Sequence, residues 1–249
     1  PQHLGQSGRG PAGDGGQFGD ADAVPTDLGQ ACRILAEHGD GAVPVAGGTF
    51  FMGHRDELFS DVTAIVNLKH LGLSYIRLES DRLRLGATTT LGEILRSTVT
   101  ASGPFRVLAE TIRELNIPEV RNAATIGGNV CNASPAGDTL VPLLVLDAEA
   151  ELASKPDGAV NTRRVPLFEF FAGPGRTVRR PDELLVAIRV PLPPAGRFGR
   201  FFKFGTRPAL DISAISIGIA GVRDGPVLRD VRVAFGAVAP VPMRAVATE

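Results

Sequence analysis

Apolar residues recur at helical spacing at Leu28, Ala31, Cys32 and Leu35, and His38-Gly39 follows as a stop, which predicts a short amphipathic helix. Val43-Pro44-Val45-Ala46 and Ala64-Ile65-Val66 are brief apolar runs, and residues 75–78 and 82–85 alternate, so strands around turns follow the helix. Together these make a small α/β unit. Residues 105–115 place Phe105, Leu108, Ala109, Ile112 and Leu115 on one face, predicting a second helix with Pro118 beyond its stop. Residues 123–130 have small side chains and a double glycine, so a bare, accessible backbone is expected there. Leu140 to Leu146 is apolar throughout; residues 150–153 read as a strand, 167–171 as a helical turn and 184–190 as a further strand. Beyond the proline cluster Pro191-Leu192-Pro193-Pro194, residues 215–219 and 231–235 alternate as antiparallel strands, and Met243 to Glu249 resembles the start of a helix.

Composition narrows the function classes. A chain of 249 residues with 43% hydrophobic residues buries a sizeable core, and no apolar run approaches the length of a membrane-spanning helix. Lys plus Arg total 26 against 27 Asp plus Glu, with the signs interspersed, so neither nucleic acid nor an anionic membrane is an expected partner. Cys32 and Cys131 stand far apart without a CxxC, which argues against a disulfide framework, a zinc site or an iron–sulfur cluster held by this chain alone. A reducing, cytoplasmic setting is expected. Residues 1–24 are rich in Gly and polar residues and lack the pattern of a signal peptide, so they are expected to form a mobile tail. Within that tail, Gly8 to Gly13 matches GxGxxG but has no strand before it.

Glycine pairs alone mean little in a chain with 30 glycines; their surroundings discriminate. Two pairs share a design: Val45-Ala46-Gly47-Gly48-Thr49 and Thr125-Ile126-Gly127-Gly128-Asn129 each follow an apolar stretch and add a polar side chain. Where no Cβ intrudes, consecutive backbone N–H groups can converge on phosphate oxygens, with the Thr hydroxyl or Asn amide as a further donor. Two such loops suit the two phosphates of one dinucleotide, held by amides because neither loop contains a lysine. Two ordinary tight turns would read the same from glycine chemistry alone.

Longer motifs resolve the choice. Pro44-Val45-Ala46-Gly47-Gly48-Thr49, Arg121-Asn122-Ala123-Ala124-Thr125-Ile126-Gly127-Gly128-Asn129-Val130 and Asn132-Ala133-Ser134-Pro135-Ala136-Gly137-Asp138 resemble the FAD pyrophosphate loops of molybdenum hydroxylase flavin subunits, the xanthine dehydrogenase and carbon monoxide dehydrogenase type. The resemblance continues through Val165-Pro166-Leu167, Phe170-Phe171-Ala172-Gly173-Pro174, Pro181-Asp182-Glu183-Leu184-Leu185 and Phe201-Phe202-Lys203-Phe204, spanning roughly residues 25–245. It implies an α+β protein with a vanillyl-alcohol-oxidase (PCMH)-type FAD-binding fold: two α/β subdomains, about 25–80 and 81–192, followed by a small α+β domain at 195–249 that is expected to be incomplete. By the same resemblance Pro44, Val45, Ala46, Gly47, Gly48, Thr49, Phe50 and Phe51, with Thr125, Ile126, Gly127, Gly128 and Asn129, hold the pyrophosphate. Asp138 is placed near sugar or ribityl hydroxyls, Leu185 and Lys203 line the flavin, and Leu115 falls at an apolar contact. Thr49-Phe50-Phe51 departs from the Thr-Asp-Leu of many relatives, so an aspartate contact there is lost or replaced by apolar packing.

The implied function is electron transfer: substrate is oxidised at a molybdenum-pterin cofactor in a large partner subunit, and electrons pass through two iron–sulfur clusters of the 2Fe–2S type in a small subunit to FAD here. A dimer of heterotrimers is the implied assembly. No catalytic residue and no metal site is assigned to this chain. A non-catalytic nucleotide-binding assembly module and a self-sufficient flavin oxidase are the alternatives. Asp138, ahead of an apolar run, has a second reading as a helix N-cap, and Cys131 reads as a small packing residue.

Overall fold

The computed structural model describes residues 22–53, 61–115, 117–205 and 212–249. The Gly8 to Gly13 motif and His54 lie outside the described residues, as does the tail up to residue 21. Its last part is structured: Asp22–Ala23 (β1) pairs in parallel with Ala64–Asn67 (β3), which corrects the tail boundary at residue 24. Two residues are too few to show an alternation in sequence.

The first unit is a parallel sheet in the order β1-β3-β2, with β2 at Ala42–Val45, covered by helix α1 (Leu28–His38). Asp27 caps α1, its carboxylate accepting from the Gln30 amide at 2.8 Å, a contact worth about 1 kcal/mol. Gly39, at φ 54°, ends the helix where a side chain would be strained. Ala31, Cys32 and Leu35 bury the inner face against Val66 and Leu68.

The second unit is built on a five-stranded antiparallel sheet, order β4-β5-β10-β6-β7. Its strands are Ile76–Leu78 (β4), Arg82–Gly86 (β5), Glu149–Ser154 (β6), Asn161–Pro166 (β7) and Leu184–Pro191 (β10). The expected division at residue 80 is therefore wrong: it cuts the β4–β5 hairpin, in which Ile76 pairs with Leu85. Both alternating segments belong to this sheet, because one tight turn joins them. Between β7 and β10 lies a short hairpin, Phe171–Gly173 (β8) with Arg176–Thr177 (β9). Strand β10 is buried on both faces, with Leu185, Ile188 and Val190 in the large helical core and Leu184 and Val186 in the core beneath α1. Burial on both sides explains its uninterrupted apolar run.

Helices cover the first face of that sheet. Leu91–Arg96 (α3) begins with a capping box between Thr90 and Glu93. Thr98–Ala101 (α4), Arg106–Glu114 (α5), Pro118–Ala123 (α6), Ile126–Asn132 (α7), Leu140–Val145 (α8) and Leu167–Phe170 (α9) follow, with Thr49–Gly53 (α2) earlier in the chain. The last unit is an antiparallel sheet of Arg197–Gly205 (β11), Ser213–Asp224 (β12), Val227–Gly236 (β13) and Met243–Arg244 (β14). Its inner face packs on α8, where a Cβ on Gly218 would sit 2.8 Å from Val141. Met243 and Arg244 pair with Phe235 and Ala234, so the expected helix start is instead an edge strand, pinned by the Arg244 to Asp147 ion pair. Among the described residues no helix is long and apolar enough to cross a membrane.

Candidate functional site

A cleft of about 640 Å³ opens between the two glycine pairs. Strand β2 delivers the first. After Val45 the chain turns through Ala46-Gly47-Gly48 and enters α2 at Thr49. Gly48 has φ 68°, a left-handed conformation that a side chain resists, while space for a Cβ exists, the nearest atom being Val45 Cγ1 at 3.9 Å. Gly47 is required for the opposite reason: a Cβ there would lie 1.8 Å from the Ala123 carbonyl oxygen. The turn is thus pressed against the segment that leads into the second pair. Among the described residues, the Gly47, Gly48 and Thr49 amides donate to no protein acceptor.

The second pair is built differently. Thr125 is the N-cap of α7, and its hydroxyl oxygen accepts from the Gly128 amide at 3.1 Å. The Ile126 amide donates to Thr89 O at 2.9 Å, Gly127 to Ala87 O at 2.9 Å and Asn129 to Thr125 O at 3.0 Å. The expectation of a loop with outward amides is therefore corrected here: the segment is the first turn of a helix whose amides are already bonded. Gly127 allows close packing, since a Cβ would meet Ala87 O at 2.5 Å. Gly128 is exposed and leaves bare backbone toward the cleft. What this motif offers a ligand is side-chain chemistry. The Thr125 hydroxyl, already an acceptor, keeps its proton to donate, and Asn129 accepts from Thr139 Oγ through its Oδ1, leaving the Nδ2 end to donate.

Of the residues singled out from sequence, Pro44, Val45, Ala46, Gly47, Gly48, Thr49, Phe50, Phe51, Thr125, Gly128 and Asn129 line the cleft. Ile126 is in the core, as are Leu115 and Leu185, and Gly127 packs behind the cleft wall. Asp138 and Lys203 meet elsewhere, in an ion pair of 2.8 Å between β11 and the start of α8, with Ser213 donating to the other carboxylate oxygen. Asp138 does not cap α8; Thr139 occupies that position, and its side chain does not cap either.

Sequence reasoning missed Val43, Leu91, Val120, Ala124, Cys131, Asn132 and Gly175 in the lining. The signal was present for one face: Thr125, Gly128, Asn129 and Asn132 are spaced i, i+3, i+4 and i+7, one side of a helix. Cys131 lies on that helix, where burial pushes its thiol up to about 11, against a smaller opposing effect of Arg179. Among the described residues, no Asp, Glu, Lys or Arg lines the cleft. A pyrophosphate there meets three unengaged amides, a hydroxyl, a carboxamide and a bare glycine and, among the described residues, no carboxylate to repel it, so these residues fit the FAD loops expected of them.

The fold and this cleft define a flavin-binding oxidoreductase chain of the PCMH type. Residues 21–193 match the family described as "FAD binding domain in molybdopterin dehydrogenase". The xanthine dehydrogenase FAD-binding subunit of Escherichia coli O157:H7 is 33% identical over 222 residues, an alignment covering 87% of this chain and 73% of the relative. The carbon monoxide dehydrogenase medium chain of Afipia carboxidovorans is 32% identical over 173 residues, covering 69% and 58%. Among solved structures, the carbon monoxide dehydrogenase of Hydrogenophaga pseudoflava superposes with a TM-score of 0.84 at 26% identity, covering 90% of this chain and 77% of that one. The chain belongs to this family: it is a FAD-binding subunit of the molybdenum hydroxylases.

Proposed function

We propose that this subunit receives electrons from iron–sulfur clusters of a small partner, themselves fed by a molybdenum-pterin cofactor in a large partner, and passes them to an external acceptor. The observation that carries the reading is the joining of two unlike glycine motifs in one cleft, one supplying amides and the other side-chain donors. FAD, when bound, would supply the capacity to take electrons singly from one-electron carriers and to release them singly or as a pair. This chain's residues bind and orient. The Gly47, Gly48 and Thr49 amides hold one phosphate, and Thr125 and Asn129 hold the other. As the resemblance implies, Asp138, which adjoins Thr139, and Lys203, ion-paired with it, serve the sugar and ring end, where the Lys203 cation favours negative charge on the ring. Leu115 and Leu185 back that end from the core. The dimer of heterotrimers implied by the resemblance is the assembly we propose, in the cytoplasm.

Native purification from the source organism tests this. Both partners should co-purify, and substrate should bleach the flavin absorbance only in their presence. A lone chain that oxidises substrate at full rate would replace this reading with a self-sufficient oxidase, and a purified complex without flavin would replace it with an assembly module.

A further inference from the structure

Thr139 is buried, at 1% exposure, at the N-cap position of α8. A threonine at a helix N-cap ordinarily accepts from an amide two or three residues on, as Thr90 and Thr125 do here. Thr139 does not, because its own backbone is already helical, at φ −67° and ψ −20°, which turns the hydroxyl away from those amides. The hydroxyl donates instead to Asn129 Oδ1 on the neighbouring helix. The backbone around Thr139 is held from the other side, since adjacent Asp138 is fixed by Lys203 Nζ at 2.8 Å and by the Ser213 hydroxyl.

An asparagine carboxamide is nearly symmetric in shape and is oriented only by its hydrogen bonds. A hydroxyl can donate or accept, so it is the observed direction, from Thr139 Oγ to Asn129 Oδ1, that leaves the NH2 end free for the cleft. With Oδ1 occupied, Nδ2 is presented to a phosphate oxygen; with the amide reversed, Oδ1 would oppose the phosphate. We propose that Thr139 is a positioning residue for cofactor binding, which sets the Asn129 carboxamide so that its NH2 end serves the pyrophosphate. The role rests on the reading that a phosphate lies beside Asn129. It acts through one atom pair, so it disappears when either partner is removed.

The experiment is a titration of the full chain, stripped of flavin, with FAD and separately with riboflavin, which lacks phosphate. Asn129→Ala should weaken FAD about tenfold, and Thr139→Val, which keeps the shape and removes the hydroxyl, about fivefold, with riboflavin changed less than twofold in both. Thr139→Ser should restore FAD binding. In an Asn129→Ala background, Thr139→Val should add less than a twofold effect. An equal loss for riboflavin, or an undiminished loss in the double variant, would make Thr139 a merely structural residue and overturn the proposal. A silent Thr139→Val beside a weakened Asn129→Ala overturns the positioning role alone. A silent Asn129→Ala removes the phosphate from that side of the cleft, and the proposal with it. Melting of each flavin-free variant within a few degrees of the parent shows that the comparison is between folded proteins, and Thr139→Ser supplies the folded control if the valine variant melts lower.

Discussion

Gly47-Gly48 and Gly127-Gly128 look interchangeable as sequence, yet they solve different problems. In the first, one glycine is needed for its left-handed φ and the other because a carbonyl lies where its Cβ would be. The turn keeps three amides unbonded among the described residues. In the second, neither glycine has positive φ; one packs against Ala87 and the other merely keeps the cleft wall low. Its amides serve the helix, and its ligand chemistry has moved to Thr125 and Asn129. A glycine pair is thus not one device. What it does depends on whether the chain leaves a strand into a turn or starts a helix.

The largest expected difference comes from adding one methyl group to each motif. Gly47→Ala puts a carbon 1.8 Å from the Ala123 carbonyl oxygen, which forces the two motifs apart. We expect a loss of about 3 kcal/mol or more, seen as a fall in thermal midpoint and in soluble yield. Gly128→Ala meets only the Thr125 hydroxyl at 3.0 Å and should cost less than about 1 kcal/mol. Equal midpoints for the two variants would show that the motifs do not touch.

A charge at the tolerant position separates binding from folding. Gly128→Asp should fold, because the position is exposed, but should bind FAD at least about a hundredfold more weakly, about 2.7 kcal/mol, through bulk and repulsion of phosphate. Retained flavin in that variant would make the second motif an ordinary helix start. Gly48→Ala should fall between, at about 1 kcal/mol, since space is available and only the backbone conformation is penalised. Gly48→Asn should cost less, because asparagine tolerates that conformation better. A greater loss for asparagine would point to steric exclusion at Gly48 instead.

Much of this was legible in the chain because periodicity is local. Helix α1, strands β2, β3, β5 and β10 and the amphipathic α5 follow directly from apolar spacing, and the stop at Gly39 from its freedom to take positive φ. Much of the cleft lining falls within the long motifs. What could not be read was hydrogen-bond allocation. Whether the Gly128 amide serves a ligand or a cap depends on Thr125 being placed by its bridge to Thr90, a contact between residues 35 positions apart. The Asp138 to Lys203 pair joins residues 65 apart, so neither residue's surroundings announce the other. The seven-residue α7 was obscured by its glycines, although its cleft-facing side repeats at helical spacing.

The smallest effect tests the comparison through the two cysteines, Cys131 on the helix of the second motif and Cys32 on α1, outside the cleft lining. Cys32 lies at 0% exposure on α1, its Sγ donating to Ala153 O at 3.6 Å, and burial pushes its thiol up to about 11, with the Asp182 charge acting in the same direction. Cys131 has a similarly raised thiol, but it lines the cleft. A raised thiol pKa favours the neutral form in the folded state, so this contribution to stability is complete below about pH 9 and is lost as pH rises through about 11. Thiolate is the reactive form, so iodoacetamide should modify Cys131 about a hundredfold more slowly at pH 8 than an ordinary thiol, and faster by about tenfold per pH unit up to about 11. Cys32 should remain unmodified until the fold opens. Saturating FAD should slow the Cys131 reaction further without changing its pH dependence, because it covers the sulfur without altering its charge environment. Protection of both cysteines by FAD would point to global stabilisation, whereas protection of Cys131 alone localises the ligand along α7.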